Sequence, residues 1–339
     1  MKAIQFYTIK SSGGLRVEIS NLGAKITKLL VANRQGEVKD IVLGFRTADE
    51  WRTQETYFNA ICGRVANRIK DGVFSIQDSY PSGTIISEYR VPINNGPNSL
   101  HGGLEGFNAK IWDVTAQSAF EITLHYRSKD GEEGYPGNLD VWVTYTATRD
   151  NRLRIHYEAK TDAPTLVALT NHAYFNLAGE DSGKVDDHVL QVFADKFTPF
   201  DEWTCPTGEI RSVEGTPMDF RQPTRLGDRM YDPFFDPWRG IDNNFCLCAH
   251  DAPKELRHAC TLQADGRTME CWTTMKGLQV YTGNFIEQHV GKSGTMYDEK
   301  HAVCLEAQQW PDSVHHDDFP NVVLMPGEKM DETTEYRFS

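Results

Sequence analysis

Apolar residues recur at every second position over many short stretches of this chain, and nowhere with a sustained period of 3.6. The alternation is clear at residues 15–19 (LRVEI), 121–126 (EITLHY), 139–148 (LDVWVTYTAT), 153–159 (LRIHYEA), 260–263 and 278–282. A period of two places successive side chains on opposite faces of a strand, so each stretch predicts a strand with a buried face. Turn-forming residues separate them, as at Ser12-Gly13-Gly14, Asn95-Gly96-Pro97 and Asp130-Gly131. Residues 47–54 (TADEWRTQ) predict one or two helical turns, because Thr47 can cap the first turn and Glu50 lies three residues on. Strands at roughly ten-residue spacing predict an all-β fold, a large antiparallel β-sandwich or barrel. Residues 181–188 (DSGKVDDH) and 214–240 read as loops, and the sequence shows no internal repeat or low-complexity linker. A single domain spanning 1–339 is the expectation.

Charge narrows the partners. The chain carries 35 basic and 48 acidic residues, a formal net charge of −13. Such a surface repels phosphate backbones and anionic lipid, so neither nucleic acid nor a membrane surface is expected as a partner. A neutral sugar meets no such barrier. The first ten residues hold no apolar run of signal-peptide length, and no later stretch reaches the roughly 20 apolar residues of a membrane helix. Seven cysteines, an odd number, are scattered at 62, 205, 246, 248, 260, 271 and 304. Cys246 and Cys248 are one residue apart, a spacing that suits a strand better than a zinc or redox pair. A reduced, cytoplasmic protein with free thiols in its core is predicted.

Polar clusters in apolar, turn-rich settings carry the candidate chemistry. At 98–103 (NSLHGG), His101 lies between a turn signal and two glycines that let backbone pass close to another segment. Taken alone, the run also fits a histidine that bonds across a turn. At 169–177 (LTNHAYFNL), strand geometry puts His172, Tyr174 and Asn176 on one face. Such a strip needs hydrogen-bond partners, which sugar hydroxyls supply and which solvent at an edge strand supplies equally. At 303–308 (VCLEAQ), Val303, Leu305 and Ala307 share one face, and Cys304, Glu306 and Gln308 the other. Glu306 is then a general-base candidate if desolvated, or a surface glutamate if that face is wet. No G-x-S-x-G, Walker loop or dinucleotide fingerprint is present. His315-His316-Asp317-Asp318 reads as a solvated loop and no metal site is expected, because adjacent residues of an extended segment face opposite ways.

At these clusters the chain resembles the aldose 1-epimerase, or galactose mutarotase, family. The segment at 63–69 (GRVANRI) resembles that family's GR-x-x-NRI run, and 240–245 (GIDNNF) its G-x-D-x-x-F/Y segment. Further matches at 134–139, 215–220, 279–285 and 325–328 extend the resemblance over nearly the whole length. It implies a β-supersandwich and interconversion of the α and β anomers of a free aldohexose such as galactose or glucose, with no cofactor and no metal. Glu306 takes the place of the family's base and His172 of its acid. His101 shares in proton delivery, and Arg68, Asp242, Asn67 and Gln279 hold the sugar. Three positions depart from the family pattern. His315-His316 stand near a usual Asn, Met330 near a usual aromatic and Ala173 near a usual Ser. The first is expected, with Trp310, to shape the rim of the site. The alternatives are a hexose-phosphate epimerase, which needs a basic phosphate pocket; a glycoside hydrolase pairing Glu306 with Asp242; and a sugar-binding protein without turnover.

Overall fold

The computed structural model describes residues 2–53, 57–80 and 83–339. The alternating stretches fold as strands: Arg16–Ser20, Glu121–Ser128, Leu139–Ala147, Arg152–Thr161, Arg257–Ala264 and Gly277–Tyr281. Within Leu139–Ala147 every second residue is buried from Leu139 onward, so the period of two in the sequence is a period of two in burial. The predicted helical turns form as Ala48–Thr53, with the reciprocal cap expected. Thr47 Oγ1 accepts from the Glu50 N–H at 3.2 Å, and Glu50 Oε2 accepts from the Thr47 N–H at 2.9 Å. Gln54, included in that prediction, lies outside the described residues.

The nine-stranded sheet runs, in spatial order, Asp113–Gln117, Glu121–Ser128, Leu139–Ala147, Arg152–Thr161, Met330–Phe338, Arg267–Thr273, Arg257–Ala264, Val189–Val192 and Thr224–Arg225. A six-stranded sheet runs Tyr174–Phe175, Val303–Gln308, Gly277–Tyr281, Asp242–Cys246, Lys196–Thr198 and Arg211–Ser212. Pairing within both is antiparallel. The two sheets meet across one apolar core, which runs from Ile9 to Phe338 and includes Val143, Ile155 and Tyr336 from the larger sheet and Leu278, Val280, Val303 and Leu305 from the smaller. Phe175 meets Tyr336 edge-on at 5.0 Å, and the Tyr336 hydroxyl donates to the Leu305 carbonyl at 3.0 Å. The fold is a large antiparallel β-sandwich, as the alternation predicts. All seven cysteines are free, and among the described residues no helix is long and apolar enough to cross a membrane.

The smaller sheet has a second face, and that face carries the polar clusters. Val303–Gln308 is buried at every position. Val303, Leu305 and Ala307 enter the main core, while Cys304 enters a smaller cluster with Tyr174 and Tyr281. The alternation read from the sequence is therefore correct, and the face opposite the core is buried too.

Candidate active site

Cross-strand register assembles the floor of a cavity on this second face. Glu306 stands directly opposite Gln279, and Asn244 opposite Gln279 on the next strand, with Asp242 opposite Tyr281. Residues opposite or diagonal on one face of an antiparallel pair lie within side-chain reach. Gln279 Nε2 donates to Asp242 Oδ1 at 2.7 Å, and Gln308 Nε2 approaches Gln279 Oε1 at 3.5 Å. Asp242, Gln279 and Glu306 thus converge although they are far apart in sequence.

The wall is built from segments too short for periodicity to reveal. Arg68–Ile69 pairs with Ser99–Leu100, two residues against two. Asn67 and His101 close the corner with left-handed φ values of 61° and 50°. Their contacts are reciprocal: the His101 N–H donates to the Asn67 carbonyl at 3.0 Å, and the Asn67 N–H donates to His101 Nδ1 at 3.1 Å. Asn94 braces the same loop, donating to the carbonyls of Leu100 and Gly103 and accepting from the Leu100 N–H. Gly102 makes the close approach that its position after His101 suggests. Its φ is +95°, and a Cβ there would sit 1.9 Å from the Gly63 carbonyl oxygen. Gly102→Ala should therefore displace the His101 loop and cost about 2 kcal/mol or more. A melting midpoint equal to that of wild type, with activity unchanged, would show that the close approach is dispensable.

His172 lies at a break. The expected continuous strand is instead two short pieces: Thr170–Asn171 pairs with Ile61–Cys62, and Tyr174–Phe175 with Val303–Gln308. Between them, the His172 N–H donates to the Ala60 carbonyl and its own carbonyl accepts from the Asn59 N–H, both at 2.9 Å. The switch between sheets ends the simple alternation. His172 and Tyr174 line the cavity, but Asn176 does not, correcting the predicted three-residue strip. The Asn176 amide donates to the carbonyls of Gly183 and His301, pinning a loop.

The cavity encloses about 260 Å³ and is lined by Asn67, Arg68, His101, His172, Asp242, Gln279 and Glu306, which are all the site residues expected from the sequence. Its volume lies below the roughly 300–1,000 Å³ of drug-sized sites, which suits one small polar molecule. Tyr57, Tyr174, Tyr281 and Phe285 supply aromatic walls, and Asn95 and Leu100 complete the lining. Tyr57, whose ring lies 4.4 Å from that of His101, carries no motif that sequence reading could have caught. Of the two arginines in the 63–69 run, Arg64 spends its donors on Ser128, Lys129, Pro136 and Thr165 and is structural. Among the described residues the Arg68 guanidinium bonds only the neighbouring amides of Asn95 and Asn67, at 3.0 and 3.3 Å, and it faces the cavity.

Two expected rim residues lie elsewhere. Trp310 packs on Phe319 and Cys246 in a separate apolar cluster, its indole N–H donating to the Lys276 carbonyl. His315 bonds Asp312. Neither lines the cavity, because the chain turns away from it after Gln308.

His172 Nε2 and Glu306 Oε1 are 3.6 Å apart, with the side chains 6% and 2% exposed. One ring nitrogen each from His101 and His172 and one carboxylate oxygen of Glu306 lie within 4.8 Å of one another. Burial pushes Glu306 well above the usual carboxylate range; Asp242 adds to the shift and Arg68 opposes it. Its Oε2 has no hydrogen-bond partner among the described residues, so no donor there adds to the pull of Arg68 toward ionisation. Burial pushes His172 down to about 4. It also holds His101 well below the usual imidazole value, with the charges of His172 and Arg68 acting the same way. Asp242 is raised by burial, against the pull of Arg68 and Gln279. The resting site therefore favours a neutral carboxyl beside neutral imidazoles.

Two imidazoles and a carboxylate are also the donor set of many metal centres. The bond at His101 argues otherwise. Because Nδ1 accepts from the Asn67 N–H, the proton of the neutral ring is on Nε2, whereas a ligating imidazole donates from its far nitrogen. His101 is thus set to donate a hydrogen bond. The group fits proton transfer better than metal ligation.

Comparison with known proteins agrees with this chemistry. Residues 5–337 match the family model described as aldose 1-epimerase. The chain is 44% identical to the galactose mutarotase of Bos taurus over 331 residues, covering 97% of this chain and 92% of the relative. It is 32% identical to the aldose 1-epimerase of Escherichia coli K12 over 334 residues, covering 98% and 94% of the two chains. Among solved structures, an aldose epimerase homologue from C. elegans superimposes with a TM-score of 0.88 at 31% identity, covering 99% of each chain. A galactose 1-epimerase from Lactobacillus acidophilus gives 0.81 at 25% identity, covering 100% of this chain and 99% of the other.

Proposed function

Since the chain belongs to the aldose 1-epimerase family and is an isomerase of that class, we propose that Glu306 and His172 act as one proton-holding pair that opens and recloses the ring of a free aldohexose. The observation that carries this reading is their 3.6 Å separation with both side chains buried, the carboxyl pushed up and the imidazole pushed down. In ring opening, ionised Glu306 takes the proton of the C1 hydroxyl and protonated His172 gives one to the ring oxygen. The pair is left as neutral carboxyl and neutral imidazole. After rotation about C1–C2, the neutral pair runs the same transfers backward and closes the ring on the other face. One proton thus stays on the pair throughout, and its two arrangements serve the two directions. His101 donates from Nε2 to ring or C1 oxygen, steadying charge as it develops. Arg68, Asp242, Asn67 and Gln279 hold the hydroxyls, and the tyrosines cover the sugar faces.

The relatives named galactose mutarotase support galactose as a sugar acted on, and glucose is the second aldohexose of this reading. A cytoplasmic setting is supported by seven free thiols. Treatment of 1–339 as one domain is supported by a core that draws on both ends of the chain. Polarimetry of freshly dissolved α-D-galactose and α-D-glucose tests the reading. We expect fast equilibration with both sugars, after subtraction of the spontaneous rate.

The pH dependence tests the pair itself. A buried imidazole held near 4 takes its second-site proton only in acid, and a raised carboxyl gives up the shared proton only well above 4.5. Turnover should therefore fall on the acid side near pH 4 and again on the alkaline side, where the raised carboxyl loses the shared proton. An acid limb near the ordinary imidazole value of about 6.5, in place of one near 4, would show that His172 titrates as an exposed histidine and would remove the pairing.

A further inference from the structure

The strand bearing Arg68 is only two residues long, so its position depends on what holds its edges. One edge pairs with Leu100 and Ser99. The other meets Asp312, whose N–H donates to the Arg68 carbonyl at 3.1 Å and whose Oδ1 accepts from the Lys70 N–H at 2.9 Å. The Asp312 side chain is 0% exposed, and a carboxylate in such a place needs donors or a cation beside it. The turn Ser313–His315 supplies them by folding the chain back. His315 Nδ1 reaches Asp312 Oδ1 at 2.6 Å, and His316 Nε2 faces Oδ2 at 3.5 Å. Asp312 Oδ2 and His316 Nε2 have no other hydrogen-bond partner among the described residues. His315 is one-third exposed, so it exchanges its proton with solvent.

We propose that His315 is a positioning residue for the sugar site: its charged ring holds the Asp312 carboxylate that fixes the Arg68 strand, so sugar affinity follows the charge on His315. The inference rests on Arg68 being a sugar-binding residue. The groups facing the pair are few. Asp71 and the Val73 backbone lie beside His315, His316 lies across Asp312, the Cys205 thiol lies against Asp312 from the 201–205 turn, and Arg68 is beyond it. The bond to Asp312 raises His315 above its ordinary value, against its partial burial. Burial works to raise Asp312, but the bonds from His315 and His316 outweigh it and hold the carboxyl low. His315 is therefore charged at and below about pH 6.5 and neutral once pH passes its raised value. Above that value a charge-assisted bond becomes a neutral one of roughly half the strength.

Steady-state kinetics with galactose from about pH 6 to about pH 9 test this, with KM and kcat read separately. In wild type, KM should rise about three- to five-fold across the interval without a matching step in kcat. His315→Asn, which keeps a donor but cannot take a charge, should flatten the KM profile. A KM profile in His315→Asn that matches wild type, or a flat one in wild type, overturns the inference. Proton NMR of the imidazoles gives a second readout that is independent of turnover. The resonance lost in His315→Asn should titrate above 6.5 in wild type and move down in Asp312→Asn, and no movement would sink the pairing. Arg68→Ala separates the two levels: a normal KM there removes the sugar-binding role of Arg68 itself, whatever His315 does.

Discussion

Glu306→Gln should slow mutarotation of galactose and glucose by about 10²–10⁴-fold, with KM little changed and the protein folded. The amide keeps the size of the carboxyl and can still bond a hydroxyl, but it cannot hold the proton taken from C1. Glu306 is buried in its strand, and no other carboxylate among the described residues stands as close to His172, so none takes over as base. Residual turnover in this variant then depends on protonated His172 alone, and should decline with rising pH through the value near 4 at which that ring loses its proton. The same substitution should stabilise the fold. Glu306 is raised above the unfolded carboxylate value, so between those two values the native state holds a proton that the unfolded chain has released. Stability of wild type therefore falls as pH climbs through that window. The amide that replaces the carboxyl has no proton to lose, and the melting point of Glu306→Gln should exceed that of wild type at neutral pH. An active Glu306→Gln enzyme removes the base assignment; an inactive variant that melts well below wild type points to a packing role instead.

This opposition of activity and stability explains what could be read from the residues alone. The period of two located the strands because each has a core face, and it placed Glu306 correctly opposite Leu305. It could not say that the far face is buried as well, because that depends on walls such as Tyr57, Tyr174 and Tyr281, which come from other parts of the chain. The wall segments left no periodic trace. Arg68–Ile69 and Ser99–Leu100 are held by loop bonds from Asn94, Asn67 and Asp312 rather than by strand propensity. Extending one alternation through His172 to Asn176 failed because the chain changes sheets at that histidine. Placing Trp310 and His315 on the rim failed for a related reason: closeness to Glu306 in sequence is not closeness in space once Asp312 takes up a left-handed conformation, with φ 55°. His101 was legible because Gly102 has room for no side chain against Gly63. Tyr57 was not, because an aromatic in a turn looks the same whether it faces solvent or a sugar.

His172→Asn should cost turnover about as much, ~10²–10⁴-fold, and its value lies in how it combines with the first substitution. Asn can bond the ring oxygen but has no proton to give, so kcat should fall while KM holds. Residual activity then needs only ionised Glu306, and the bell should become a profile that rises with pH through the raised Glu306 value. Each single variant thus titrates in the opposite sense to wild type at the group it keeps: activity falls through about 4 in Glu306→Gln and rises through the raised carboxyl value in His172→Asn. If one shared proton passes between the two groups, removing either breaks the cycle. The double variant should then be little slower than each single one, far from the product of the two losses. Losses that multiply would mean that base and acid act independently, and 3.6 Å between His172 and Glu306 would be proximity without partnership. Losses that do not multiply, with each variant showing its predicted limb, require the two groups to work as one. A purely structural role for His172 would lower stability and leave the bell-shaped profile in place.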